Sequence, residues 1–306
     1  MEFIQQPHTL LMIRPAAFGF NEATAESNAF QRKIENVRQV ALDEFDRMVD
    51  ALRSYDIDVR VFEDTPSPIK PDAVFPNNWI SFHQDGKTIL YPMLAENRRS
   101  ERRVDIVDEL RKEFAISEVF DLSPHENNGW YLEGTGSVVF DHVNRVCYAS
   151  RSPRTSDLLV EKVCDFLNYK PVIFNAHDEN NSPVYHTNVV LSVGQKFAVV
   201  CLDAIRREDD QELLLANFAE SQHKVIAISY AQMRAFAGNL IEVINNQHQP
   251  VVIISDRALR SLLPGQINAI SQYADVLPIS VPSIEEVGGG SVRCMVAGIH
   301  LPRLTH

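Results

Sequence analysis

The stretch Asn188-Val-Val-Leu-Ser-Val193 decides how this chain folds, because its pattern of one small polar residue and then an apolar run is written five times. The other copies are NWISF from Asn78, SVVF from Ser137, NLIEVI from Asn239 and SVRCMV from Ser291. Successive starts along the chain are 59, 51, 51 and 52 residues apart. A near-constant period of this size marks a repeat architecture whose units bury one another's apolar faces. The first four starts lead through a turn into a second apolar strand: QDGK before TILYPM, DHVNR before VCYAS, VGQK before FAVVCLDAI and NNQHQ before PVVIIS. Turn residues between two apolar runs predict a β-hairpin. Amphipathic stretches over 97–114, 155–168, 206–219 and 256–273 predict helices, and each runs into a further apolar strand, SEVFDL, KPVIF, KVIAIS or ADVLPIS. A strand over Thr9–Ile13, a longer helix over roughly 22–54 and the strand DVRVFED form a further unit, while the start at Ser291 continues through Met295 and Gly298. The expectation is an α/β chain of five hairpin–helix–strand units around one centre. No Pro/Gly/Ser-rich linker interrupts the period, so residues 1–306 are expected to form a single domain.

Composition narrows the function. Hydrophobic residues make up 45% and charged residues 23%, as in ordinary globular proteins. The net charge of −12 argues against a nucleic-acid partner, which needs a basic face. No apolar run reaches the length of about 18–20 residues that a membrane helix requires. The apolar stretch Thr9–Ile13 follows no basic region and is read as a buried strand rather than a signal peptide. A cytoplasmic protein acting on small molecules is expected. The cysteines are Cys147, Cys164, Cys201 and Cys294; none forms a C-x-x-C pair, and the first three stand in strand-like or helix-face positions that suit core packing. The ten histidines show no metal-ligand spacing, so neither a metal nor a cofactor is expected.

Repeats closed around a centre place equivalent loops at one mouth. Read at the five starts, the chain offers Asp72 with Asn77 and Asn78, then Glu133, then His186 with Asn188, then Gly238, and finally Cys294 just beyond the three glycines 288–290. Glycines leave room for close approach, so the thiol is expected to face the shared centre. Taken singly these residues have plainer readings. His186 suits a core position, Glu133 a turn, and Asp72 after Pro71 a turn as well. Arg98, in a run with Arg99, Arg102 and Arg103, suits a solvated helix face, and Arg154 suits a partner near the helix start at Thr155.

PDAVFPNN, ENRRSER, LEG at 132–134, SPRTS, YHTN and GGGSVRCM together resemble the motifs of the guanidino-group-modifying enzymes. These are the pentein family of five-bladed pseudo-symmetric β/α propellers, which includes arginine deiminases, dimethylarginine dimethylaminohydrolases and amidinotransferases. The resemblance runs from about residue 70 to residue 297 and is nearest to the citrulline-utilisation hydrolase branch. It implies that Cys294 is the nucleophile, His186 the general acid/base and Glu133 a carboxylate binding the substrate nitrogens. It also implies that Arg98 and Arg154 hold the substrate's α-carboxylate. The chemistry suits these types: a thiolate is a strong nucleophile toward a ureido or guanidino carbon, an imidazole can protonate the departing amine, and an arginine fork fits a carboxylate. His186, Arg293 and the backbone N–H groups of the glycine loop are expected to lower the Cys294 pKa.

Where deiminases and dimethylarginine hydrolases carry a guanidinium-pairing carboxylate after the D-x-V-F element, this chain has Asn77 and Asn78. Asn188 replaces the aspartate two residues after the histidine of arginine deiminases, and GTGS replaces the usual GGD. Amides both donate and accept, matching a neutral ureido group. The expected reaction is therefore hydrolysis of L-citrulline to ornithine, carbon dioxide and ammonia. Arginine deiminase or dihydrolase activity is the alternative, and a non-enzymatic, ribosome-binding pentein is the reading outside catalysis. The expected partner is a small amino acid, with no nucleic acid and no membrane; self-association as a homo-oligomer is compatible with the sequence.

Overall fold

Each apolar run finds its partner as hairpin chemistry requires. In this computed structural model, which describes residues 3–25, 28–34 and 36–304, the strands of the described residues form five three-stranded sheets. The first unit holds β1 (Thr9–Arg14), helix α1 (Arg38–Ser54) and β2 (Asp58–Glu63). The second holds β3 (Ile80–Phe82), β4 (Lys87–Leu90), α2 (Val104–Leu110) and β5 (Glu118–Asp121). In the third, the one-turn helix α3 (Gly134–Ser137) precedes β6 (Val138–Asp141), β7 (Val146–Ser150), α4 (Asp157–Leu167) and β8 (Lys170–Phe174). The fourth repeats this with α5 (Thr187–Val190), β9 (Leu191–Val193), β10 (Phe197–Val200), α6 (Glu208–Glu220) and β11 (Lys224–Ala227). After the short helix α7 (Tyr230–Arg234) come β12 (Ile241–Ile244), β13 (Pro250–Ser255), α8 (Asp256–Ser261), α9 (Pro264–Ser271) and β14 (Asp275–Ile279). Helix α10 (Pro282–Gly288) and β15 (Ala297–Ile299) complete the order.

Every sheet has one antiparallel pair and one parallel neighbour reached through a helical crossover, as parallel pairing demands. The pairs β3–β4, β6–β7, β9–β10 and β12–β13 are antiparallel. The pairs β4–β5, β7–β8, β10–β11 and β13–β14 are parallel. The remaining sheet is closed by the two ends of the chain: β15 lies antiparallel to β1, with Leu11 opposite Ala297, and β1 lies parallel to β2. Around the axis β15 lies beside β3, β6 beside β9 and β9 beside β12. This is the five-bladed α/β propeller expected from the repeat.

Helices cover the outer faces. α1 buries Ala41, Phe45, Met48, Val49 and Leu52, spaced three and four apart, in the core that also holds Leu10 and Met12 of β1. Burial of each large apolar side chain contributes about 1.5–3 kcal/mol. Among the described residues no helix is long and apolar enough to cross a membrane.

The predicted helix boundaries need correction in three places. The stretch from 22 to 37, apart from 26, 27 and 35, which lie outside the described residues, is not helical. There Asn21 Oδ1 accepts from the Ala23 N–H at 3.1 Å and Asn28 Oδ1 from the Phe30 N–H at 3.1 Å. Such side chains offer the backbone an alternative to helix. The span 97–114 divides into a 3₁₀ segment, Glu96–Glu101, and α2, with Arg102 extended between them. The span 256–273 divides into α8 and α9, because Pro264 lacks an N–H and holds Leu263 extended.

Candidate active site

A tight turn stands ahead of every inner strand, and it aims the polar residue of each repeat start at the axis. Pro76–Asn78 forms a 3₁₀ turn before β3, α3 follows Glu133, and α5 follows His186. The Asn239 N–H bonds Phe236 O, and the Cys294 N–H bonds Ser291 O, forming the turns before β12 and β15. The strands therefore begin one to six residues later than the polar starts suggest. Gly136 is required by this convergence: a Cβ there would lie 2.6 Å from Asn78 Nδ2 and 2.7 Å from the His186 ring. Gly289 has φ +65, a conformation that favours glycine, and its carbonyl accepts the Tyr185 hydroxyl.

The result is a small cavity walled by Asp72, Asn78, Arg98, Arg154, His186, Cys294 and the glycines 288–290, with Asn28, Phe75 and Tyr185 completing it. Asn188 reaches the thiol from one side. Glu133 lies behind the wall with no exposed surface. Its Oε2 accepts from Arg154 Nη1 at 3.1 Å and stands 2.9 Å from His186 Nε2, with Arg98 Nη1 at 3.7 Å. Its Oε1 accepts the Leu94 N–H at 3.1 Å. Asn77 is also buried, but it does not wall the cavity; its carbonyl faces Gly134 and Thr135 Oγ1.

Arg98 is buried rather than part of a solvated face. Its Nε and Nη2 each lie 2.9 Å from Glu101, a bidentate pair, and Nη2 also donates to Asn78 Oδ1 at 3.1 Å. Asp72 stands 3.5 Å from Arg98, and its Oδ2 accepts from Asn21 Nδ2 at 2.7 Å. Arg102 and Arg103, its neighbours in sequence, pair instead with Glu126 and Asp105.

Burial alone pushes the Glu133 carboxyl up, but Arg154, the His186 hydrogen bond and Arg98 outweigh it and hold the group well below the usual carboxylate range. Burial takes His186 down to about 4 in spite of Glu133, with Arg154 and Arg98 acting in the same direction. The imidazole is thus neutral near pH 7. Because its partner is a carboxylate, Nε2 carries the ring proton and Nδ1 keeps a lone pair, an assignment made from the hydrogen-bond network.

Cys294 is buried, and the side chains that reach its sulfur are amides: Asn188 Nδ2 at 3.5 Å and Asn239 Nδ2 at 3.3 Å. Burial pushes the thiol up; the Ser291 backbone, Asn239, Arg293 and Asn188 oppose this without overcoming it. The expectation of a lowered thiol pKa is therefore not met in the unliganded site. Arg293 helps only from a distance, since its guanidinium donates to Val296 O and faces a different cavity. The other cysteines are buried and unpaired, consistent with core packing.

Several polar atoms at the centre have no partner among the described residues: Asp72 Oδ1, Asn78 Nδ2 and Asn188 Oδ1. Buried polar groups are normally satisfied, so these three mark where a ligand's polar groups would sit. No group of three His, Cys, Asp or Glu side chains among the described residues is placed to hold a metal ion. Sequence reasoning missed Asn239 as a thiol neighbour, although it occupies the same slot of the repeat as Asn78 and Asn188. It missed Glu101 too, for which the spacing of three from Arg98 was a usable signal. For Asn21, Asn28, Phe75 and Tyr185 the pattern carried none.

Residues 14–301 match the family profile of eukaryotic N,N-dimethylarginine dimethylhydrolases. Among solved structures the chain is similar to the N-terminal domain of ArgZ, an arginine dihydrolase from the ornithine–ammonia cycle in cyanobacteria, bound to substrate. The identity is 14% and the TM-score 0.75, covering 97% of this chain and 98% of that one. It is also similar to AgrE in complex with ornithine and NAD+, at 18% identity and TM-score 0.75, covering 96% of this chain and 39% of that one. A third similar structure is the dimethylarginine hydrolase of Pseudomonas aeruginosa complexed with citrulline, at 16% identity and TM-score 0.67, covering 98% and 100% of the two chains. The chain spans 41% of the longer ArgZ chain. No curated protein matches.

Proposed function

This chain belongs to the N,N-dimethylarginine dimethylhydrolase family within the pentein superfamily of guanidino-modifying hydrolases, and on that premise we propose that it hydrolyses the ureido C–N bond of L-citrulline through Cys294. The observation that carries the substrate is the chemistry at the sulfur. Amides of Asn188 and Asn239 touch it, Asn188 Oδ1 and Asn78 Nδ2 are unpartnered, and Glu133, the carboxylate behind His186, is already engaged by Arg154 and Arg98. A neutral ureido group, which both donates and accepts, satisfies the free amide atoms; a guanidinium, which only donates, leaves Asn78 Nδ2 unsatisfied. At the other end of the substrate, Arg98 and Arg154 receive the α-carboxylate and Asp72 Oδ1 the α-ammonium. Asn77 acts only by holding its peptide against Gly134.

In the proposed reaction Nδ1 of His186 takes the Cys294 proton and the thiolate attacks the ureido carbon. The C=O electron pair moves to oxygen. As the intermediate collapses, the C–N bond to the side chain breaks and the imidazolium returns its proton to the departing nitrogen, releasing ornithine. The enzyme is left as an S-carbamoyl thioester. Water, deprotonated by His186, attacks the same carbon and expels the thiolate; the carbamate released breaks down to carbon dioxide and ammonia. Glu133 holds the His186 tautomer throughout, the orienting role of the third member in nucleophile–base–carboxylate sites. All five units are proposed to act as one catalytic domain, since each supplies a residue that lines this cavity or contacts one that does.

One observation favours arginine as a second reading. Three carboxylates, Asp72, Glu101 and Glu133, surround two guanidinium groups, Arg98 and Arg154, which leaves a formal excess of negative charge for a cation. The test is to incubate purified protein with citrulline or with arginine and quantify ornithine, citrulline and ammonia. Ornithine formed from citrulline faster than from arginine supports the first reading. Turnover of arginine alone, with citrulline accumulating or with ornithine and ammonia released, transfers support to the second.

A further inference from the structure

Inside the ring of inner strands, further along the axis from Cys294, lies a second cavity with an empty volume of about 650 Å³, its open mouth included. Residues of β3, β6, β9, β12 and β15 wall it, so it is the axial channel of the propeller. Arg293 projects into it. Among the described residues the guanidinium makes one hydrogen bond, to Val296 O at 3.1 Å, and no ion pair. Facing it are His83, His142 and His300, with ring centroids 5.9 Å apart for the first pair and 4.2 Å for the second.

Two of the three imidazoles are tied down, each on one side. His83 Nε2 meets Ser81 Oγ at 2.9 Å, and His142 Nδ1 meets the Tyr169 hydroxyl at 2.9 Å. His83 Nδ1, His300 Nδ1 and Ser192 Oγ are buried without a partner, and His83 is only 1% exposed. Burial and the neighbouring positive groups keep all three rings from taking a proton, holding His142 at about 3. Arg293 therefore carries the cavity's fixed positive charge. Glu242 also lines the wall, but its carboxylate accepts the Gln195 N–H and makes no ion pair with Arg293. The one opposite charge that Arg293 feels is the thiolate form of Cys294, which the resting site does not hold.

Arg293 is only partly exposed, and a cation with little access to water is normally paired. We infer that this axial cavity binds a small inorganic anion, of the halide or bicarbonate class, between the Arg293 guanidinium, the Ser192 hydroxyl and the unpartnered Nδ1 atoms of His83 and His300, each ring in the tautomer that carries its proton there. The anion takes the place of the missing counter-charge. By doing so it removes the stabilisation that Arg293 otherwise offers the neighbouring thiolate, and so makes Cys294 harder to ionise. Bound anion and reactive thiolate oppose one another across one residue.

The test has two arms on the intact protein. Crystals soaked in sodium bromide are expected to show an anomalous peak within hydrogen-bonding distance of Arg293. In solution, the rate of Cys294 alkylation by iodoacetamide is expected to fall by about threefold, half a pKa unit, on replacing gluconate by chloride or by bicarbonate at constant ionic strength. The fall should saturate, and the two anions titrated separately identify the better ligand. Arg293→Met should abolish the dependence; if that variant does not fold, the wild-type bromide map decides. Water alone in the cavity overturns the proposal. So does a bromide peak with no saturable effect in solution, which is binding at crystal concentration only, and so does an anion effect that survives in Arg293→Met.

Discussion

At the Cys294 end of the axis, Arg98 and Arg154 are met by Asp72, Glu101 and Glu133 at 2.9–3.7 Å. Deeper in the channel Arg293 faces three neutral imidazoles and, among the described residues, pairs with no carboxylate. The first region pairs both of its guanidinium groups internally and leaves amide atoms and a thiol for the ligand. The second satisfies its imidazoles in part and leaves a charge. A site preset in the first way receives a molecule by hydrogen bonding and positions it against a nucleophile. A site left in the second way attracts a counter-ion and needs no reacting group. Asn188 belongs to both: its Nδ2 touches the thiol while the residue also lines the channel.

The comparison is broken most severely at the sulfur. Cys294→Ser is expected to lower turnover by about 10⁶-fold, the scale of losing an enzymic nucleophile, while circular dichroism stays native and bromide still occupies the channel. Turnover that persists in the serine variant would remove Cys294 from the reaction. His186→Ala is expected to cost about 10²–10⁴-fold, the range of general acid–base catalysis. Because His186 is held near 4 and the thiol is pushed up, free wild-type Cys294 should alkylate faster as pH rises past the ordinary thiol range. An alkylation rate already at its plateau at pH 7 would contradict the neutral resting pair.

Asn188→Asp sharpens the comparison, since it adds a charge at the seam between the two regions. Ion-pair effects of about 2–5 kcal/mol, at tenfold per ~1.4 kcal/mol, predict a shift from citrulline toward arginine of roughly 30-fold or more in relative kcat/KM. The same carboxylate gives Arg293 a nearby anion and should blunt the chloride response. A competition assay that leaves the substrate ratio unchanged would show that the amide does not select the substrate. The smallest effect is expected for Tyr185→Phe, which loses the hydrogen bond to Gly289 O. A thermal melt should register a loss of about 1 kcal/mol in stability, with the channel unaffected.

Most of the fold was legible because the blade is written as a period. A small polar residue ahead of an apolar run, repeated at 51, 51 and 52 residues after a first interval of 59, gave the sheets and the loops that meet. The site was legible to the same extent: Asp72, Asn78, Glu133, His186, Asn188 and Cys294 are at or beside repeat starts, and Arg98 and Arg154 in matching motifs. The described part of 22–37 fits a helix in sequence because of its alanines and charged residues, while Asn21 and Asn28 divert the backbone into turns. The charge pairing was not legible either. Which of the three arginines in ENRRSER turns inward depends on Glu133 and Asp72, residues far away in sequence. Asn77 shows the converse: its position in PDAVFPNN is shared with Asn78, yet one peptide further back the side chain leaves the cavity wall.

The pairing of β15 with β1 sets the order in which a nascent chain becomes an enzyme. Glu133 and His186 emerge from the ribosome well before the segment that carries the thiol, and β1, made ahead of the other described strands, keeps one edge unpaired until β15 arrives just behind Cys294. The step that delivers the Cys294 thiol is thus the step that seals the blade. A partly made chain holds Glu133 and His186 without the thiol, and an open strand edge, which is a template for aggregation. Activity and protection from aggregation are therefore expected to appear together during synthesis, at the passage of the last inner strand.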